Sequence, residues 1–185
     1  DILGDPIYGV EKTLRVNADS WTEKPYTRWK VALIGPSGAG KSTCLRYLSS
    51  NANAVEMDQV FGIDPSPPVE EALQWMVDAE EPAVVVGVHR ELLRQIANMR
   101  ETGVGQAMFG KLRFVYLYVS KQRLGERLQQ QVHHEERSES NMSSALNNFE
   151  ELDCLCRKIA DHVLDTSDKS IEEVCKELSY LQVSG

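Results

Sequence analysis

Gly35-Pro36-Ser37-Gly38-Ala39-Gly40-Lys41-Ser42 follows the apolar run Val31-Ala32-Leu33-Ile34 and precedes the apolar-periodic positions Cys44, Leu45 and Leu48. That order predicts a strand, a glycine loop and a helix. Glycine lets the loop turn with its backbone N–H groups pointing inward, and the new helix adds the positive end of its dipole. The resulting concavity suits a chain of phosphates. Gly35, Pro36, Ser37, Gly38, Ala39 and Gly40 form the cradle, and Lys41 reaches the β- and γ-phosphates. Ser42 offers a hydroxyl to the magnesium ion that travels with a nucleotide, with Thr43 the next residue of the helix. ATP and Mg2+ are the implied cofactors; the plain alternative is a glycine-rich turn with no ligand.

Working outward, 185 residues with 42% hydrophobic content can bury one core, which predicts one domain. A net charge of −8 argues against general nucleic-acid binding, because phosphate contacts need clustered Lys and Arg. Cys44, Cys154, Cys156 and Cys175 show no metal-ligand spacing, which fits a reduced, cytoplasmic setting. No run approaches 18 apolar residues, so neither a membrane span nor a membrane partner is expected. The chain opens at Asp1 rather than Met, which leaves room for a removed leader or a preceding domain. Residues 1–29 read as an N-terminal extension in which Trp21, Tyr26 and Trp29 are rings to be buried on the sheet edge or against a partner. The domain proper is expected over 30–185.

Beyond the first helix, Ala54-Val55-Glu56-Met57 reads as a short strand ending at Asp58. Ligands of open α/β sheets sit beyond the carboxyl ends of strands, which makes Asp58 a candidate catalytic base or magnesium ligand. Val69, Ala72, Leu73, Met76 and Val77 keep helical spacing, and Ala83 to Val88 is the next strand. Arg90 and Arg94 follow it one helical turn apart, placed to hold a carboxylate or phosphate; a solvated helix face is the alternative. Leu112 to Val119 reads as a strand covered on both faces. Leu124, Leu128 and Val132 begin a helix, and Met142, Leu146, Phe149, Leu152 and Ile159 resume the stripe. The polar stretch His133 to Asn141 between them suits a lid, with Arg127 and Arg137 as its cations. His162 to Thr166 is the last strand, and Ser170 with Glu173 forms a capping box for the final helix.

Strand and helix thus alternate five times. This predicts an α/β P-loop NTPase fold, three-layer α/β/α, with a five-stranded parallel sheet and a helical lid. ATPase machines and transporters are set aside because no acidic residue ends the strands near Val88 and Val119 and no LSGGQ-type signature occurs. GTPases are set aside because the Asp-x-x-Gly switch and the Asn-Lys-x-Asp base reader are missing.

From about 30 to 181 the chain resembles the gluconate and shikimate kinase group of small P-loop kinases, and is most similar to thermoresistant gluconokinases. The resemblance rests on Val55-Glu56-Met57-Asp58, His89-Arg90-Glu91-Leu92-Leu93-Arg94, Phe114-Val115-Tyr116-Leu117 with Arg127-Leu128, Asn148 to Leu152, and Ser170 to Val174. It implies that Asp58 is the base near the acceptor hydroxyl, that Arg90 and Arg94 are substrate-side cations, and that Arg127 is a nucleotide-side cation. The implied activity is ATP- and Mg2+-dependent phosphorylation of a hydroxyl on a small, anionic metabolite, with Lys41, Asp58 and Arg127 as catalytic residues. The rivals are a kinase of another acceptor, such as a nucleotide or nucleic-acid end, and a non-catalytic nucleotide-binding module that regulates a partner.

Overall fold

A computed structural model describes residues 30–48, 54–61, 68–78, 84–104, 109–110, 112–134 and 138–183. The extension at 1–29 and Arg137 lie outside the described residues. Five strands form one sheet in the order β2-β3-β1-β4-β5: β1 (Lys30–Ile34), β2 (Ala54–Glu56), β3 (Val84–Val86), β4 (Leu112–Tyr118) and β5 (His162–Asp165). Every pairing is parallel; Val31 stands opposite both Val84 and Arg113, and Tyr116 opposite Val163.

Alternation along the central strands divides the core in two. Ala32, Ile34, Val85, Phe114 and Tyr116 pack with the helices α3 (Val69–Asp78), α4 (Arg90–Thr102) and α7 (Phe149–Ile159). Val31, Leu33, Val84, Val86, Val115 and Leu117 face α1 (Lys41–Leu48), α5 (Lys121–His133) and α8 (Ile171–Val183). Both faces of the inner strands are therefore dry, which is why β3 is wholly apolar, β1 is apolar after Lys30, and β4 is interrupted only at Arg113. Truncating a fully buried leucine such as Leu33 to Ala would cost about 2–5 kcal/mol. The three-layer fold expected from the sequence is the one observed.

Three local readings change. β2 stops at Glu56, and the short helix α2 (Met57–Phe61) starts where the strand was expected to continue, so Asp58 is helical. The polar stretch between helices is shorter than expected: α5 runs through His133, and α6 (Glu139–Asn147) begins at Glu139, with Ser138 Oγ capping the Asn141 N–H. The helical stripe after it is broken at Asn148 (φ −88°, ψ 0°), which separates α6 from α7. The side chain of Asn148 donates back to the Ser144 carbonyl at 2.8 Å, alongside the bond its backbone N–H makes to the same carbonyl at 3.1 Å.

The Ser170–Glu173 capping box closes as expected. Glu173 accepts from the Ser170 N–H at 2.8 Å, and the Glu173 N–H donates to Ser170 Oγ at 3.3 Å. At the opposite end of the sheet from the phosphate loop, Asp161 accepts from the Phe114 N–H at 2.8 Å and from Arg100. The Arg100 guanidinium lies 5.0 Å from the Phe109 ring centre and 5.2 Å from that of Phe114.

Candidate functional site

The loop between β1 and α1 adopts the phosphate-cradling form. Gly35, Gly38 and Gly40 have φ of 144°, 92° and 99°, and the Ala39 N–H donates to the Pro36 carbonyl at 3.1 Å. A Cβ on Gly35 would lie 2.8 Å from the Leu117 carbonyl oxygen, whereas one on Gly40 would meet nothing within 4 Å. Gly35 is thus required by both backbone conformation and space, and Gly40 by conformation alone. Lys41 folds back over the loop, its Nζ donating to the carbonyls of Gly35 (2.7 Å) and Pro36 (2.9 Å).

A cavity of about 340 Å³ opens from this loop, bounded by Lys41, Ser42 and Thr43 on one side and by Arg127, Thr166 and Lys169 on the other. Arg127 is held against that wall. Its guanidinium donates to the Thr166 carbonyl and, at 3.4 Å, to the Ser167 carbonyl and to Thr166 Oγ1. The thiol of Cys44, also on the lining, is pushed up to about 12 by burial, which makes it a packing group rather than a nucleophile.

Ser42 Oγ lies 3.5 Å from Glu56 Oε1. A hydroxyl beside a carboxylate is a hard oxygen donor set, the kind magnesium takes together with water and phosphate oxygens. Ser42 therefore fits its expected role, and Glu56 joins it although the sequence reading gave it no role. A carboxylate at the last position of a strand leading to the site was the available signal. The backbone of Asp58 is in α2, beyond the same strand end, and its side chain lies outside the description.

A second cavity, of about 550 Å³, borders the loop at Pro36 and Ser37 and is lined also by Arg90, Asn141, Ser144 and Asn148. Arg90 reaches this cavity; Arg94 is not on its lining. Both guanidinium groups meet carboxylates of the protein itself. Arg90 lies 3.6 Å from Glu151 and donates to Asn148 Oδ1 at 3.1 Å, while Arg94 pairs with Glu151 and, at 3.0 Å, with Glu91. The hydrogen bond from Arg94, then the charges of both arginines, hold the Glu151 carboxyl below its ordinary range. Arg90 and Arg94, expected to be placed to hold a carboxylate or phosphate, are joined with Glu91 and Glu151 in a balanced set that links α4 to α7.

A parallel sheet in this order with a glycine loop after its central strand, a lysine and serine opening the next helix and a cavity at their mouth defines a P-loop nucleotide-binding protein. The chain belongs to the ABC transporter family, whose model matches residues 24–180. The missing strand-end acidic residue and the missing LSGGQ-type signature argue against that family from the sequence; the match restores the kinship, although the residues following β3 and β4 are Gly87 and Val119. No curated protein sequence matches the chain.

Among solved structures, shikimate kinase from Acinetobacter baumannii in complex with shikimate is similar at a TM-score of 0.52 and 17% identity. The likeness covers 84% of this chain and 93% of that one. The YorR protein from Bacillus subtilis, in complex with phosphorylated GDP, gives 0.51 and 19%, covering 82% and 94%. A gluconokinase from Sinorhizobium meliloti 1021 gives 0.49 and 20%, covering 84% and 94%, a likeness too low to argue from. At these identities the comparisons establish the fold, which is shared with small-molecule P-loop kinases. Among the described residues, no helix is long and apolar enough to cross a membrane.

Proposed function

We propose that the chain is an ATP- and Mg2+-dependent kinase that transfers the γ-phosphoryl group to a hydroxyl of a small molecule. The observation that carries this reading is that Ser37 lines both cavities, so a terminal phosphate on one side and an acceptor hydroxyl on the other would meet across one residue of the loop. Such a reaction is mostly positioning and charge stabilisation. Lys41 exchanges its two carbonyl partners for the β- and γ-phosphates, and Arg127 supplies a second positive charge from the opposite wall. Ser42 and Glu56, with Asp58 as a further candidate, would hold magnesium, which when bound neutralises charge on the phosphates. Asp58 takes the acceptor proton while the acceptor oxygen bonds to phosphorus and the bond to the β-phosphate oxygen breaks, leaving ADP. Arg90 and Arg94 would be substrate-side cations on the resemblance, and Arg137, outside the described residues, would be a further cation of the lid. On the resemblance alone that acceptor would be an anion of the gluconate or shikimate kind, and the narrower likeness to thermoresistant gluconokinases has the same footing.

A second reading, an ATP-binding module that acts on a partner, is favoured by the family match over residues 24–180. A broad panel of hydroxylated metabolites, each incubated with ATP and Mg2+, separates the two. ADP release that depends on an acceptor is expected; release at the same rate with every compound and with none would favour the module.

A further inference from the structure

We infer that the acceptor cavity takes an uncharged, polyhydroxylated molecule rather than one bearing a carboxylate; the inference rests on the kinase reading and names its substrate class. Ser37, Asn141, Ser144 and Asn148 supply its lining with neutral hydroxyl and amide groups. Hydroxyl and amide groups can both donate and accept, which is what a row of alcohol groups requires, although the Asn148 amide is already engaged by Arg90 and Ser144. Among the described residues, the side chain of Asn141 has no hydrogen-bond partner, so its amide is available to a ligand.

The single charge among the described lining residues is Arg90, and it does not stand as a free cation. Glu151 lies 3.6 Å from it, and Asn148 Oδ1 accepts from it at 3.1 Å. Behind them Arg94 divides its guanidinium between Glu151 and Glu91. Two guanidinium groups thus face two carboxylates and the local charge sums to zero. A carboxylate on the acceptor would approach Arg90 beside the Glu151 carboxylate and be repelled by it, whereas an alcohol meets no such opposition. Glu151 is not itself on the lining; it acts by pairing with the one arginine that is, which makes it a specificity-determining residue working through Arg90.

The test compares kcat/KM, with ATP and Mg2+, for alditols and aldonates of matched length, from glycerol and glycerate to glucitol and gluconate, with shikimate beside them. An uncharged compound is expected to lead its carboxylated counterpart by roughly 10-fold or more, and Glu151→Gln should narrow that lead by roughly 5-fold, the scale of one partly exposed ion pair. A carboxylated compound leading by 10-fold in the wild type overturns the inference and leaves the kinase reading standing. A lead unchanged in Glu151→Gln overturns the role of Glu151. If no compound raises ADP release while calorimetry still detects ATP binding, the kinase reading falls and this inference falls with it.

Discussion

On the proposed kinase reading, the two walls of the site, one for the nucleotide and one for the acceptor, are built on different principles. The nucleotide wall is backbone: three glycines at positive φ, a helix start, and the Thr166 and Ser167 carbonyls that fix Arg127. The acceptor wall is side chain, with Arg90, Asn148 and Glu151 holding one another across α4 and α7. Backbone braced by a dry core has one arrangement available to it, whereas paired polar side chains near half exposure can exchange partners with a ligand. On the proposed kinase reading, the first wall is suited to an invariant cofactor and the second to setting which molecule is phosphorylated.

The sharpest way to break this contrast is Lys41→Ala. Its charged hydrogen bonds are the main cationic contribution of the loop, so ATP affinity by calorimetry should fall on the order of 100-fold or more. Equal affinity would remove the phosphate-loop assignment. Asp58→Asn comes next. Turnover should drop roughly 100-fold with ATP affinity held within a few-fold, since the amide keeps the shape and loses the proton affinity. If ATP affinity in the presence of Mg2+ falls alongside the rate, Asp58 serves the metal instead, and Glu56→Gln then becomes the comparison.

Smaller effects probe the walls themselves. Gly35→Ala combines an unfavourable φ with a 2.8 Å approach to the Leu117 carbonyl and should lower stability by about 2–3 kcal/mol. Gly40→Ala, with open space around it, should cost only about 1 kcal/mol in the same urea titration. Equal losses would mean that the core does not brace the loop at Gly35. The smallest effect belongs to Arg94→Ala, whose guanidinium is exposed and off the cavity lining. Thermal unfolding and ATP affinity should both match the wild type, and a loss of ATP affinity would mean that the two walls are coupled.

This same division accounts for what could be read in advance. The sheet, its parallel pairing and the phosphate loop follow from contiguous residues, because apolar runs and glycine positions act locally. The balance at Arg90 was hidden because Glu151 is 57 positions from Arg94 in sequence, and only the docking of α7 on α4 brings it there. The break at Asn148 was invisible because the apolar stripe crosses it without a gap; the break is a backbone turn at φ −88° and ψ 0°. Glu56 was overlooked for the opposite reason. Its place at a strand end was plain, but the strand was extended one residue too far, so attention went to Asp58 alone.

The junction of Arg100, Asp161, Phe109 and Phe114 has a bearing on how such a molecule can change over evolutionary time. It ties the end of α4, the start of β4 and the approach to β5 at the edge of the sheet remote from ligands. With that edge anchored, substitutions at the opposite rim can alter what the cavities there admit without disturbing strand register. The sheet is a foundation laid at one end, and new specificities can be built at the other.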